Sequence, residues 1–215
     1  MIAIVDYGIG NLGSVTKAFR HASAESRLTG DPAELARADA IVLPGDGAFA
    51  ATMHEIEKRG LVAPLVGAAR AGTPLLGICI GMLVLFEESE EHGRHAGLGL
   101  LPGRVRRFRT DLPVPHMGWN TLRSSRPHAL LDGVAQGAYV YFVHSYFCDA
   151  PAEATLASSD YGREFPAIVG RENVLGVQFH PEKSQAVGLR LIGNFVRLVA
   201  AAAERRRPLD VAPVS

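Results

Sequence analysis

The run Thr73-Pro74-Leu75-Leu76-Gly77-Ile78-Cys79-Ile80-Gly81, continuing as Met82-Leu83-Val84-Leu85-Phe86-Glu87-Glu88-Ser89, decides the fold. Residues 73–76 form a short apolar stretch that predicts a buried strand, and 82–89 predicts a helix. A cysteine between two glycines at a strand-to-helix junction is the thiol counterpart of a nucleophile elbow. So sharp a turn leaves no room for β-carbons on either flank, which accounts for Gly77 and Gly81. It would also place the Cys79 sulfur at a helix N-terminus, where unpaired N–H groups and the positive dipole end favour thiolate over thiol. Read in isolation, Cys79 could equally be a small buried core residue.

Working toward the N-terminus, 61–71 and 50–59 have helical spacing, and Asp39-Ala40-Ile41-Val42-Leu43-Pro44 predicts a strand. That strand ends in Gly45-Asp46-Gly47-Ala48-Phe49. Residues 1–6 predict a first strand, 7–13 a glycine-rich loop and 14–22 a helix. Alternating strands and helices predict a parallel, doubly wound sheet, whose sites form beyond the carboxyl ends of strands. The glycine loops 8–13, 45–47 and 77–81 should therefore face one crevice. Gly8-Ile9-Gly10-Asn11-Leu12-Gly13 also satisfies the G-x-G-x-x-G dinucleotide pattern, with Asp31 as the acid that would hold a ribose. The motif is short, and a close-packed strand–helix turn explains the glycines better.

Beyond about residue 98 the texture changes to short strand-like runs separated by Pro, Gly and Asp: 101–108, 116–122, 138–147, 154–158, 167–171 and 174–179. These predict a mostly β half, with hairpins flanking the parallel sheet. A closing helix is expected over 185–203, with Leu189, Ile192, Phe195 and Val196 on one face. The domain expectation is one unit over 1–203, followed by a loose tail over 204–215.

The totals agree with a single soluble core. The chain has 215 residues, 22 basic and 22 acidic, so its charge gives no argument for nucleic acid or an anionic membrane. Two cysteines, Cys79 and Cys148, make no disulfide framework, which fits a reducing, cytoplasmic setting. The N-terminus meets Asp6 too early for a signal peptide. The most apolar stretch, 74–86, is too short to span a bilayer.

Val177-Gln178-Phe179-His180-Pro181-Glu182 supplies the second half of the chemistry. Pro181 pushes His180 toward extended backbone, and in an extended segment Glu182 lies on the same side as His180. The carboxylate can hold one ring nitrogen while the other takes a proton from Cys79. His144 and His116 are rival bases, but neither has an acid two residues away. No metal site is expected, because these histidines and Cys79 lack close ligand pairs. The N–H of Ile80, directly after the nucleophile, is one oxyanion donor by the geometry of an elbow. The Gly45–Gly47 loop, with Asp46 at its centre, is the natural source of a second.

With these residues assembled, the chain resembles the class I glutamine amidotransferases, and among them the glutaminase subunits of imidazole glycerol phosphate synthases in histidine biosynthesis. The matching stretches are 6–11, 43–49, 77–82, Pro115-His116-Met117-Gly118-Trp119-Asn120, Tyr141-Phe142-Val143-His144-Ser145-Tyr146 and 178–184. The resemblance implies a flavodoxin-like α/β fold and glutaminase activity through a Cys79 thioester. His180 would be base and acid, Glu182 would orient it, and no cofactor would be needed. Gly45, Gly47, Ser145 and Tyr146 would hold glutamine. Asn11, Trp119 and Lys183 would meet a cyclase subunit built as a (β/α)₈ barrel, in a heterodimer. The glycine loop 8–13 then belongs to an interface rather than to a dinucleotide.

There are two departures from that family. Leu83 stands where glutamine is usual, which implies weaker substrate binding. Asp46 stands where an aliphatic residue is usual; a carboxylate aimed at an oxyanion would oppose catalysis, so its side chain should point away, toward the partner. The competing readings are the glutaminase of another amidotransferase, a free-standing cysteine hydrolase and a catalytically silent binding subunit.

Overall fold

The computed structural model describes residues 1–206. Its first half runs β1 (Ile2–Val5), α1 (Leu12–His21), β2 (Ser26–Thr29), α2 (Pro32–Ala36), β3 (Ala40–Leu43), α3 (Phe49–Lys58), α4 (Val62–Arg70), β4 (Leu75–Ile78) and α5 (Ile80–Leu83). Strands β5 (Phe86–Ser89), β6 (His95–Ala96), β7 (Leu101–Arg107), β8 (His116–Thr121), β9 (Arg123–Ser124) and β10 (Tyr139–His144) follow. The chain continues through β11 (Tyr146–Asp149), β12 (Thr155–Asp160), β13 (Glu164–Arg171), β14 (Val174–Val177) and α6 (Gln185–Arg206).

The main sheet has the order β2-β1-β3-β4-β14-β13-β12-β9. It is parallel from β2 to β14 and antiparallel from β14 to β9. Strands β1, β3, β4 and β14 are buried along their whole length, as expected where both faces are covered. Alternate residues feed two cores. Ile2, Ile4, Val42, Leu76 and Ile78 join Phe19 and Phe195 on one face, while Ala3, Val5, Ile41 and Leu43 join Met53, Ile56 and Leu65 on the other.

The predicted helix over 82–89 is corrected. Helix α5 is a single turn, and Phe86–Ser89 is strand β5, paired in parallel with β7. Residues 80–86 are all buried, so no polar face marked where the helix stops. The β-rich half does not simply flank the parallel sheet. Strands β13, β12 and β9 extend it, β8 and β10 form a two-stranded ribbon, and β11-β7-β5-β6 form a third sheet. The single run expected over 138–147 is broken at Ser145, between β10 and β11, which belong to different sheets. Strand β2 went unread because it lies at the sheet edge with Arg27 and Leu28 exposed.

The closing helix runs three residues past the expected end, to Arg206; the rest of the expected tail, 207–215, lies outside the described residues. Helix α6 is, by length and composition, long and apolar enough to cross a membrane. Its apolar side is used in packing: Phe195 meets Phe19 edge-on at 6.3 Å, with Leu191 and Ile192 buried beside it. Asn194 on the same helix donates to the carbonyls of Leu130 and Asp132.

Candidate active site

Strands β3, β4 and β14 are neighbours, and their carboxyl ends deliver the chemistry. Ile78 pairs with Val177, and the Cys79 N–H donates to the Val177 carbonyl at 2.8 Å. Cys79 adopts φ +54°, a left-handed conformation uncommon for a non-glycine residue, as a nucleophile elbow requires. The glycines are needed for close approach. A β-carbon on Gly77 would stand 2.5 Å from the Gly81 carbonyl oxygen, and one on Gly81 only 1.8 Å from that of Leu43. The first N–H groups of α5 have no carbonyl one turn earlier to meet. Among the described residues the Ile80 N–H has no backbone acceptor.

Three residues beyond β14, the His180 N–H donates to the Tyr141 carbonyl at 3.0 Å, which fixes the backbone that carries the ring. Its Nδ1 lies 2.9 Å from Glu182 Oε1, with both side chains buried. Burial alone would lower the pKa of the ring, but Cys79 and then Glu182 outweigh it and raise the pKa from 6.5 to about 10. At neutral pH the proton therefore sits on His180, beside the sulfur. Among the described residues the Nε2 atom has no hydrogen-bond partner of good geometry, so it is left for proton exchange on the Cys79 side of the ring.

The Asp46 side chain does not point away from the site, and that expectation is corrected. Its Oδ1 lies 3.6 Å from His180 Nε2, and its Oδ2 accepts from the Asn11 N–H at 3.2 Å. One oxygen is drawn to the ring that carries the proton and the other is tethered to the 7–11 loop. The glycine loops thus share one edge unequally. Loops 45–47 and 77–81 line a cavity, whereas 8–13 stands behind and touches it through Asp46. Asp31, the acid the dinucleotide reading would have used, caps α2 by accepting from the Ala33 N–H at 2.8 Å.

The cavity, about 320 Å³, is lined by Asp46, Gly47, Cys79, Ile80, Leu83, Glu91, Pro115, Val143, His144, Ser145 and Tyr146. Gly45 lies beneath it, where a β-carbon would strike the Tyr7 hydroxyl and Ile80. Glu91 was not singled out from the sequence. Ala48 precedes helix α3 at the N-cap position and has no side chain to cap it, and Glu91 Oε2 accepts from the Phe49 N–H instead, at 2.6 Å. That bond buries a carboxylate in the cavity wall. Nothing in Glu90-Glu91-His92-Gly93 distinguishes it from an exposed turn.

His144, the first rival base, also lines the cavity, yet burial lowers its pKa to about 3, and that of His116 to about 4. Both are therefore neutral. The three expected partner-facing residues lie on three separate parts of the chain. Asn11 caps α1, Trp119 is 45% exposed on β8, and Lys183 is exposed three residues after His180. Trp119 lies against Tyr141 at 5.9 Å, and Met117 and Tyr139 extend this exposed face of the ribbon.

A family model described as "Glutamine amidotransferase class-I" matches residues 3–198. A curated relative named imidazole glycerol phosphate synthase subunit HisH, from Desulfitobacterium hafniense, is 54% identical over 200 residues, 93% of this chain and 95% of that protein. Relatives of the same name from Salinibacter ruber and Bacillus cereus are 51% and 48% identical; they cover 92% and 94% of this chain and 94% and 96% of their own length. A crystal structure described as a glutamine amidotransferase superposes with a TM-score of 0.74 at 21% identity, covering 93% of this chain and all of that one. A Thermoplasma acidophilum protein described as a GMP synthase component gives 0.72 at 19%, covering 96% and 97%. At such identities the two structures speak for the fold alone.

Proposed function

The chain belongs to the class I glutamine amidotransferase family and is a glutaminase subunit of imidazole glycerol phosphate synthase, and on that premise we propose how its residues divide the work. Cys79 Sγ attacks the side-chain amide carbon of glutamine. The C–N bond breaks, and His180 gives a proton to the departing ammonia. Water then attacks the thioester as His180 takes its proton; the C–S bond breaks, releasing glutamate, and the proton passes to the sulfur. Glu182 holds the ring and stabilises the imidazolium. The backbone N–H groups of Ile80 and Asp46 stabilise the oxyanion.

Gly45, Gly47, Ser145 and Tyr146 shape the seat for glutamine. Glu91, the buried carboxylate in the cavity wall, receives the α-ammonium group, because a carboxylate beside a cation is the pairing a closed cavity strengthens most. The ammonia passes to a cyclase partner, a (β/α)₈ barrel in a heterodimer, which uses it to form imidazole glycerol phosphate and AICAR from PRFAR. The apolar ribbon face at Met117, Trp119 and Tyr139, together with Asn11 and Lys183, is the docking side. Covering the cavity keeps ammonia from being protonated in bulk water. The setting is cytoplasmic.

The observation that carries this reading is the buried His180–Glu182 pair next to a cysteine in the elbow conformation. Co-purification with the cyclase, followed by glutamate release with and without its nucleotide substrate, tests it. Stimulated release lost in Cys79→Ala while the complex persists supports the reading. A complex that forms and never hydrolyses glutamine would indicate a silent binding subunit.

A further inference from the structure

His116 and His144 take no part in the chemistry, yet both are buried in direct contact, with His116 Nδ1 3.0 Å from His144 Nε2. Their surroundings settle where every proton lies. Asn120 Oδ1 accepts from the Thr121 N–H at 2.8 Å, so the amide nitrogen points the other way, to the Asp160 carbonyl at 2.7 Å and to His116 Nε2 at 3.3 Å. An amide nitrogen only donates, so His116 Nε2 accepts and its Nδ1 carries the hydrogen. That hydrogen goes to His144 Nε2, which leaves the other hydrogen on His144 Nδ1, 2.8 Å from the Tyr146 carbonyl. Each ring thus has one donor and one acceptor, both used, along a line from β8 to the cavity wall.

Aromatic rings hold the line in place. His116 is stacked against Tyr161 at 4.0 Å and Phe142 at 4.9 Å, while Phe108 and Phe165 each lie 5.2 Å from His144. Burial keeps both imidazoles neutral at physiological pH. Both acceptor nitrogens are already occupied and burial makes each ring a weak base, so their polarity needs another purpose. Ser145 lies outside every sheet, between β10 and β11, and Tyr146 is only the end residue of β11, paired with Arg107 of β7. Beside that pairing, two bonds hold the two carbonyls of the corner: the Phe108 N–H to that of Ser145 at 3.1 Å and His144 Nδ1–H to that of Tyr146.

We propose that Asn120, His116 and His144 are positioning residues for glutamine, a neutral, one-directional hydrogen-bond relay that holds the Ser145–Tyr146 wall of the cavity in its binding geometry. The inference rests on the glutaminase reading of that cavity. It deepens that reading by assigning substrate affinity, not reaction chemistry, to the two spare histidines.

The test uses His116→Phe in the complex with the cyclase, because phenylalanine keeps the ring stack and removes both hydrogen bonds. The KM for glutamine should rise about 10-fold or more, as expected when two buried partners are left unpaired, with kcat within about 2-fold. Alkylation of Cys79 by iodoacetamide, which does not use that wall, should proceed at the parental rate. His116→Gln, able to accept from Asn120 and donate to His144, should recover part of the affinity. Should His116→Phe fold poorly, Asn120→Ala on the more accessible β8 end must raise KM in the same direction. An unchanged KM in a folded variant, or a fall confined to kcat, overturns the inference. Absence of glutamine turnover by the unaltered complex would instead overturn the glutaminase reading, and this inference with it.

Discussion

Asp46 Oδ1 faces His180 Nε2 at 3.6 Å, on the nitrogen that must exchange protons with substrate. Glu182 already occupies the other nitrogen, so the ring lies between two carboxylates. A carboxylate in this place repels a developing oxyanion and narrows the approach to Cys79. Its second oxygen is tied to the Asn11 N–H, in the loop proposed to meet the cyclase. Asp46→Asn should therefore raise glutamine hydrolysis by the isolated chain by about 10-fold, the effect of removing one interaction worth ~1.4 kcal/mol, and should lower the factor by which the cyclase stimulates it. Steady-state rates with and without the partner check this, and equal basal rates would refute it.

The pKa of His180 sets the alkaline limit. Cys79 and Glu182 raise it to about 10 despite burial. The imidazolium is needed to protonate departing ammonia, so kcat should persist through neutral pH and fall as pH climbs through about 10. The sign for stability is the same. A raised folded pKa contributes stability that is fully present below about 6.5 and is lost on approach to 10. In Glu182→Gln one of the two upward influences is removed, so the alkaline limb should move to lower pH. A pH–rate series on parent and variant decides it.

Much of this site was legible in the sequence because its constraints are local. Gly77 and Gly81 flank Cys79 since backbone atoms occupy the space of any β-carbon, and Pro181 pins the segment that holds His180 near Glu182. What escaped depends on distant partners. Asp46 is turned by an N–H 35 residues away, and Glu91 is buried by a helix end 42 residues away. The strand at 86–89 escaped because the unbroken buried run 80–86 that leads into it carries no period to mark where the helix stops.

Leu83 lines the cavity and is buried, four residues beyond the nucleophile. Leu83→Gln would present an amide to the substrate, and one added hydrogen bond of ~1 kcal/mol should lower the KM for glutamine about 5-fold. The same amide is left unpaired in the empty cavity, so the variant should also be less stable by ~1–3 kcal/mol. Kinetics and urea unfolding measure the two effects separately; a KM that does not fall would show that Leu83 stands clear of the substrate.

Gly81 should be the least replaceable residue of the elbow. A β-carbon there would meet the Leu43 carbonyl oxygen at 1.8 Å, and both atoms belong to backbone that sheet and helix hold in place. Gly81→Ala should cost about 3 kcal/mol or more by urea unfolding. Gly67, inside α4 with nothing within 4 Å of its β-carbon position, is the control. Gly67→Ala should instead stabilise the chain by about 0.5–1 kcal/mol.

The two neutral histidines predict how the protein responds to acid. Their folded pKa values are lowered, to about 4 for His116 and about 3 for His144, because burial disfavours the charged rings. Below about 6.5 the unfolded chain therefore binds protons that the folded chain refuses, and stability falls as pH drops toward 4. The remaining charged neighbour makes this steeper: His180 faces His144 and is itself protonated across that range. His180 adds no slope of its own below 6.5, since both its folded and unfolded forms are then charged. His116→Phe removes one titrating ring and keeps the stack, so its stability should fall less than the parent's between pH 7 and 5. Carboxylates titrate alike in the two proteins, so the difference between their urea midpoints isolates the histidine contribution. Parallel curves would mean that His116 can take up a proton without opening the fold.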